Sequence, residues 1–97
     1  MPTYVVLLRY TTQGISTIKD SPRRLDAVKA AFRAAGGEIK AYYLTMGRFD
    51  EVVVIEAPDD ATFTKLILAV AAQGNVQTET LRAFTEDEYR SIIAGLP

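Results

Sequence analysis

Two short apolar runs constrain the fold of this chain more than any other feature. Residues 4–8 (Tyr-Val-Val-Leu-Leu) and 52–55 (Val-Val-Val-Ile) contain no charged or amide side chain. Successive side chains of a β-strand point to opposite faces of its sheet, so a strand without polar alternation is apolar on both faces. We therefore predict that these two runs form the central strands of one sheet.

Two further segments are predicted to be edge strands because they carry polar residues. Residues 38–45 alternate, with Ile39 and Tyr43 on one face, and residues 76–83 are more polar still. A loop containing Gly47 leads from the first of these segments into the second central strand, because glycine readily adopts the positive φ of tight turns. The predicted sheet thus has two central strands and two edge strands.

Caps and apolar spacing predict three helices. Ser21 before a proline suits a helix start and Gly36 suits its end, which places the first helix at about residues 22–35. Thr85 with Glu88 is a capping-box pattern that opens a short terminal helix. The apolar stripe of the middle helix steps by three or four residues and comprises Phe63, Leu66, Ile67 and Val70.

The resulting order, β-α-β-β-α-β, predicts an α+β fold of the ferredoxin-like kind. Two right-handed crossovers place the first and third strands in the centre of a four-stranded antiparallel sheet, with two helices on one face and a short C-terminal helix in addition. The other face, here called the open face, remains apolar, and large exposed apolar patches usually mark interfaces. We therefore expect a homodimer or higher homo-oligomer in which the open face packs on another copy.

Composition excludes several classes of function. The 97 residues fit a single domain, 1–97, and the formal net charge of −1 gives no electrostatic footprint for nucleic acid. We recognise no signal peptide and no membrane-spanning run, so a cytoplasmic protein is expected. The chain has no Cys and no His, and capping explains its clustered carboxylates, so we predict neither a metal site nor a cofactor.

The hairpin loop around Gly47 has two interpretations. In the structural one, Gly47 makes the turn, Phe49 covers the core and Asp50 accepts backbone amides. In the functional one, Arg48 and Asp50 contact a ligand directly. Turn chemistry alone explains most of the pattern, and both interpretations remain open at this point.

A second candidate ligand site is predicted on the open face. We assign Tyr42 to that face because Tyr43, which alternates with it, suits the helices, and we place Thr80 and Arg82 there as well. A one-residue error would invert each assignment. A cavity lined by Tyr42, Thr80 and Arg82 would suit a small anionic or aromatic molecule. The alternative is that these side chains form hydrogen bonds across a dimer interface.

Motifs along nearly the whole chain share one resemblance. They are residues 4–8, 10–11, 14, 19–22, 43–50, 56–59 and 78–84. Together they resemble the GYD domain family of small bacterial and archaeal proteins, which is named after a Gly-x-Tyr-Asp element. Gly47 and Asp50 match that element, whereas Phe49 stands where Tyr is usual. The family is similar to dimeric α+β barrel proteins, so the resemblance implies such a barrel and no particular activity.

Two classes of function follow. The first is a homo-oligomer that binds a small molecule or serves as an assembly module. The alternative is a cofactor-free enzyme similar to the monooxygenases and isomerases of dimeric α+β barrel type. Without His the usual general base is missing, so a Tyr, Asp or Arg would have to act, and no catalytic residue is assigned. An open pocket that holds a buried carboxylate would favour the enzyme.

Overall fold

The computed structural model describes residues 1–97, which form four strands and four α-helices. The strands are β1 (Thr3–Tyr10), β2 (Glu38–Leu44), β3 (Glu51–Glu56) and β4 (Val76–Ala83). The helices are α1 (Thr12–Ser16), α2 (Ser21–Ala34), α3 (Asp60–Ala72) and α4 (Glu86–Ala94). A 3₁₀ turn at Ile18–Asp20 precedes α2. All four predicted strands and all three predicted helices are therefore present.

The strands form one antiparallel sheet in the order β2-β3-β1-β4. β1 and β3 are central, as their two apolar faces predict. α2 packs on β2, while α3 packs on β4 and on α2, so these two helices cover one face of the sheet, here called the helix face. An α+β fold with a four-stranded antiparallel sheet is thus confirmed.

The core lies between the helix face and the two long helices. Its buried members are Tyr4, Val6, Leu8, Phe32, Val53, Ile55, Ala57 and Phe63. The rings of Tyr4 and Phe63 stack with centroids 3.9 Å apart, and the Phe32 ring lies 6.2 Å from that of Phe63. Each large apolar side chain buried in this way contributes about 1.5–3 kcal/mol. The core therefore holds the sheet and the helices together.

One of the three predicted helix caps differs in the structure. α2 begins at Ser21 itself, and Asp20 occupies the N-cap position without a side-chain capping bond. Asp20 has φ −88° and ψ −7°, which is helical backbone, because the 3₁₀ turn runs directly into α2. Its carboxylate instead pairs with Arg23 at 3.1 Å. The predicted cap Thr85 is confirmed, and an aspartate cap at Asp59, which residues 57–60 of the sequence predict, is confirmed as well, since each accepts a backbone amide.

A β-bulge in β2 inverts the predicted orientation of Tyr42. Ile39 and Tyr42 both pair with buried residues of β3, and the register shifts between them, which leaves Lys40 as the extra residue. Opposite residues of paired antiparallel strands share a face, so both lie on the helix face although they are three residues apart. Regular alternation would separate them. The assignment of Tyr42 to the open face is therefore wrong, and Tyr43 lies there instead.

β4 also presents the opposite face from the one predicted. Thr80 pairs with Val6 and Arg82 pairs with Tyr4, so both lie on the helix face, whereas Leu81 lies on the open face. Placing Thr80 and Arg82 on the open face is therefore wrong. The physical reason is that the helices leave this end of the edge strand uncovered. Thr80 and Arg82 remain exposed there, so polar side chains are tolerated.

α4 projects from the body of the protein. It does not pack closely on any other element, and Tyr89, Ile92 and Ile93 are exposed along it. The radius of gyration is 14.6 Å and the overall extents are 52 × 31 × 18 Å. A compact chain of this length has a radius of gyration of about 13 Å. The chain is thus more extended than a compact monomer.

The segment after β1 is tied to the loop before β4 at a close approach of two backbones. Thr11 donates hydrogen bonds from its amide to the Asn75 carbonyl oxygen (3.1 Å) and from Oγ1 to the Gly74 carbonyl oxygen (2.6 Å). A Cβ atom on Gly14 would lie 1.9 Å from the Asn75 carbonyl oxygen. Only glycine therefore fits at position 14 without a backbone shift.

We expect Gly14→Ala to lower the free energy of unfolding by about 1–3 kcal/mol, because the added methyl group must push the two segments apart. Urea unfolding measures the change. Gly95→Ala is the matched control, since its Cβ would meet nothing closer than 3.5 Å. It should change stability by less than about 0.5 kcal/mol. Equal effects of the two substitutions would contradict the close approach.

Candidate functional site

A cavity of about 70 Å³ lies between the helix face and the two long helices. Most of its lining residues are hydrophobic, and the polar ones are Ser21, Arg24, Glu51, Gln73 and Asn75. Glu51 alone among these five is buried. A cavity of this size has room for a few water molecules or for one small organic group. The carboxylate of Glu51 is thus the most unusual feature of its wall.

Glu51 forms a cluster with two tyrosines. The residue is only 7% exposed. Its Oε2 atom accepts a hydrogen bond from the Tyr10 hydroxyl at 2.9 Å and a second, short one from the Tyr42 hydroxyl. The Tyr10 hydroxyl also lies 3.4 Å from Oγ of Ser21. We refer to Tyr10, Tyr42 and Glu51 as the Tyr–Glu–Tyr cluster.

Three strands position this cluster. Tyr10 ends β1, Glu51 begins β3, and the bulge in β2 turns Tyr42 towards them. Asp50, which directly precedes β3, ties that strand to β1. Its Oδ2 accepts the Tyr10 amide at 2.9 Å, and its own amide donates to the Leu8 carbonyl oxygen at 2.8 Å. The hairpin therefore fixes where the cluster residues meet.

Burial is the largest cause of raised pKa values in the cluster. It raises the pKa of the Tyr10 phenol, and the hydrogen bond to Glu51 raises it further, while the Ser21 contact acts in the opposite direction. Burial and the Glu51 hydrogen bond raise the pKa of Tyr42 far above its usual value. Elsewhere in the core, burial and a 2.5 Å hydrogen bond to Asp60 raise the pKa of Tyr4 to about 12. The cluster phenols are thus neutral hydrogen-bond donors near pH 7.

No cation pairs with Glu51. The salt bridges of the chain join Arg23 to Asp20, Lys40 to Glu38 and Glu56, and Arg90 to Glu86. Burial of a carboxylate without an ionic partner is unfavourable, and the two phenol donors offset part of that penalty through charge-assisted hydrogen bonds. The cluster therefore presents a carboxylate acceptor to an apolar cavity. Such a group can bind a hydrogen-bond donor or accept its proton.

The structure does not bring Tyr42, Thr80 and Arg82 together. Tyr42 lies on β2 and the other two lie on β4, at opposite edges of the sheet. Three strand spacings separate these edges by roughly 14 Å. The Arg82 guanidinium instead lies 5.6 Å from the ring centroid of Tyr4 and 4.8 Å from that of Phe84. The cavity predicted from these three residues is not formed.

The hairpin residues serve the turn. Gly47 has φ +117°, as predicted. Arg48 is exposed, and its carbonyl oxygen accepts a hydrogen bond from Nε of Arg9 at 2.7 Å. The Phe49 ring instead lies 4.6 Å from the Arg9 guanidinium and packs neither in the core nor against it, so the prediction that Phe49 covers the core is wrong. These contacts favour the structural interpretation of the loop, and a ligand role for Arg48 and Asp50 stays a prediction.

Glu51 is not among the site residues predicted from the sequence, although strand alternation locates it. Glu51, Val53 and Ile55 are two residues apart and therefore share a face. A carboxylate on the same strand face as two buried apolar residues is predicted to be buried too. It was missed because the apolar run was defined from residue 52 onwards. Tyr42 joins the cluster only through the bulge, for which the sequence offers no clear signal.

The structure contains neither a cluster of metal-binding side chains nor a helix that could span a membrane. No group of three His, Cys, Asp or Glu side chains lies close enough together to hold a metal ion. No helix combines the length and the apolar character required to cross a membrane. The Tyr–Glu–Tyr cluster and its cavity are the candidate functional site, because Glu51 is a buried carboxylate that borders a cavity.

The fold and the cluster define a small α+β protein with a buried carboxylate beneath its helices. The chain belongs to the GYD domain family, which it matches over residues 4–93. It is 38% identical over 84 residues to the glutamine synthetase and cystathionine beta-lyase binding protein of Thermus thermophilus, covering 86% of this chain and 88% of that protein. The crystal structure of TTHA0845, also from Thermus thermophilus, has a similar fold, with a TM-score of 0.55 and 23% identity over 88% of this chain and 95% of the other.

Tyr42→Phe should lower the free energy of unfolding at pH 7 by about 1–3 kcal/mol, because Glu51 loses one of its two donors. Urea unfolding measures the loss. Tyr43→Phe is the matched control, since Tyr43 is the next residue, lies on the open face and is 62% exposed. A loss of equal size in both variants would show that the cluster contributes nothing particular to stability.

The raised tyrosine pKa values also predict how stability depends on pH. Because the folded pKa values of Tyr10 and Tyr42 exceed the unfolded value near 10, their contribution is complete below about pH 10 and is lost as the pH rises towards the folded values. Urea unfolding between neutral and strongly alkaline pH should therefore show a decline that is shallower in Tyr42→Phe than in the unsubstituted protein. Parallel pH profiles would contradict this assignment.

Proposed function

We propose that the protein is a non-enzymatic binding protein that self-associates through the open face of its sheet. In this proposal residues 1–97 form one ferredoxin-like domain, and the open faces of two copies meet in a two-fold dimer of the α+β barrel type. The second copy is the first partner. A further protein binds to the assembled dimer.

The apolar character of the open face is the observation that carries this proposal. Its apolar residues are Val5, Leu7, Ala41, Tyr43, Val52, Val54, Leu81 and Ala83. The long helices lie on the other face, and Tyr43 and Leu81 are 62% and 50% exposed. Soluble monomers rarely expose a contiguous apolar patch of more than a few hundred Å². A second copy would remove this surface from water.

The projecting helix α4 supports the same proposal. Its exposed apolar residues Tyr89, Ile92 and Ile93 follow the exposed Phe84 at the end of β4. An amphipathic helix is ordinarily stabilised by packing its apolar side on another element, and α4 has no close partner within its own chain. Another protein surface would supply that partner.

The relative from Thermus thermophilus supports a protein partner beyond the second copy. Its name states that it binds glutamine synthetase and cystathionine beta-lyase. The proposal takes from it only the class of function, the binding of another protein. Exposed aromatic and aliphatic residues such as Tyr89 and Phe84 suit such contacts.

A cofactor-free enzyme is the second candidate, and the observation in its favour is Glu51. A buried carboxylate beside a cavity can act as a general base. Glu51 would then act as the general base in place of histidine, which the chain lacks. The enzyme would convert a molecule bound in the cavity, whereas the binding protein requires no chemical step there.

Analytical ultracentrifugation tests self-association. The unsubstituted protein should sediment with at least twice the 10.7 kDa of one chain. Val54→Lys places a charge in the middle of the open face and should shift the protein to the mass of one chain, because burying an unpaired lysine at the interface is strongly unfavourable. Circular dichroism checks that the variant remains folded.

Thr64→Lys is the matched control, because Thr64 is exposed on α3, on the other side of the sheet. This variant should retain the mass of the unsubstituted protein. A monomeric unsubstituted protein, or equal effects of the two lysines, would contradict assembly through the open face.

A further inference from the structure

We propose that the cavity at Glu51, together with the groove between α2 and α3, binds a small, mostly apolar molecule through a neutral hydrogen-bond donor such as a hydroxyl group. This site lies on the helix face, away from the surface proposed for self-association. The proposed ligand site is therefore complete in a monomer as well as in a dimer.

The hydrogen bonding of Glu51 shows which group the site lacks. Both phenol donors bind Oε2, and Oε1 accepts no hydrogen bond. No fully buried side-chain oxygen in the chain is without a partner, so Oε1 must retain some surface that is accessible to water. Glu51 is 7% exposed and borders the cavity. A donor placed in the cavity would complete the hydrogen bonding of this carboxylate.

The cavity adjoins a larger hollow that could hold the rest of a ligand. A groove of about 540 Å³ runs between α2 and α3 over an apolar floor that includes Phe32 and Leu66. The residues shared by the cavity and the groove are Arg24, Val28, Val70, Gln73 and Asn75. Small-molecule sites commonly occupy roughly 300–1,000 Å³, are mostly apolar and contain a few polar groups. Cavity and groove together match that description.

A neutral donor fits this site better than a charged one. An ammonium group would be attracted to Glu51 but would lose its hydration on entering the cavity, and these two effects largely cancel for buried ion pairs. The positive charge of Arg24, which also lines the cavity, disfavours a second cation. An anion would be repelled by Glu51. A hydroxyl group avoids all three penalties and still donates to a carboxylate.

Nuclear magnetic resonance of the full chain tests the proposal with phenol and anisole, which share a ring but differ in the donor. Phenol should shift the amide signals of cavity residues such as Leu25, Val53 and Val70. Anisole should bind at least about tenfold more weakly, because a hydrogen bond to a charged acceptor is lost. Benzylammonium and benzoate, which carry opposite charges, should both bind more weakly than phenol.

Two variants connect the binding to Glu51 and to the cavity. Glu51→Gln removes the charge and should weaken phenol binding by about tenfold or more, whereas Glu79→Gln, an exposed glutamate on β4, should leave it unchanged. Val70→Phe fills the boundary between cavity and groove without changing the cluster and should also weaken binding. This second variant keeps the test valid if Glu51→Gln does not fold.

Four outcomes would overturn the proposal. Equal affinity for phenol and anisole would show that no donor is recognised. Tighter binding of benzylammonium than of phenol would show that the site selects a cation. Absence of any shift at cavity residues, or shifts that survive Val70→Phe, would show that the cavity binds none of these molecules.

Discussion

The structure depends on the burial of two strands that are apolar on both faces. β1 and β3 can only be central, and α2 and α3 then cover one side of them. Burial contributes roughly 25 cal/mol for each Å² of apolar surface removed from water, and a chain of about this length hides only about two-thirds of its unfolded surface. The other side of the same strands, which no long helix covers, keeps apolar side chains that are only partly buried in the single chain. The self-association proposed for this chain would follow from the composition of these two strands and would require no special contact.

Most of the fold could be predicted from local patterns, whereas the directions of individual side chains could not. Capping residues such as Asp59 and Thr85 act over three or four residues, so the sequence shows them directly. The face of Tyr42 depends on the bulge at Lys40, which arises from pairing with a strand more than ten residues further along. The face of β4 depends on how far the helices extend over the sheet. Both are properties of tertiary packing, which no local pattern contains.

The candidate site was missed for a related reason. The ligand site predicted from the sequence lies on the open face, whereas the structure places a carboxylate under the helices. Glu51 is tolerated there because two phenols donate to it and the adjacent Asp50 joins β1 to the hairpin. The motif for which the family is named thus supports the cluster without belonging to it. Phe49 fits this interpretation, since its ring contacts Arg9 and no hydroxyl group is needed at that position.

The bulge at Lys40 has a consequence for how copies of the chain can meet. β2 is an edge strand, and an edge with free backbone groups can pair with a strand of another molecule. Irregular backbone and charged side chains discourage such pairing, and the ion pairs of Lys40 with Glu38 and Glu56 place charges at this edge. Contact by faces closes on itself in a symmetric pair, whereas contact by edges can continue into fibres. The residue that turns Tyr42 inwards therefore also disfavours pairing of this edge with another strand.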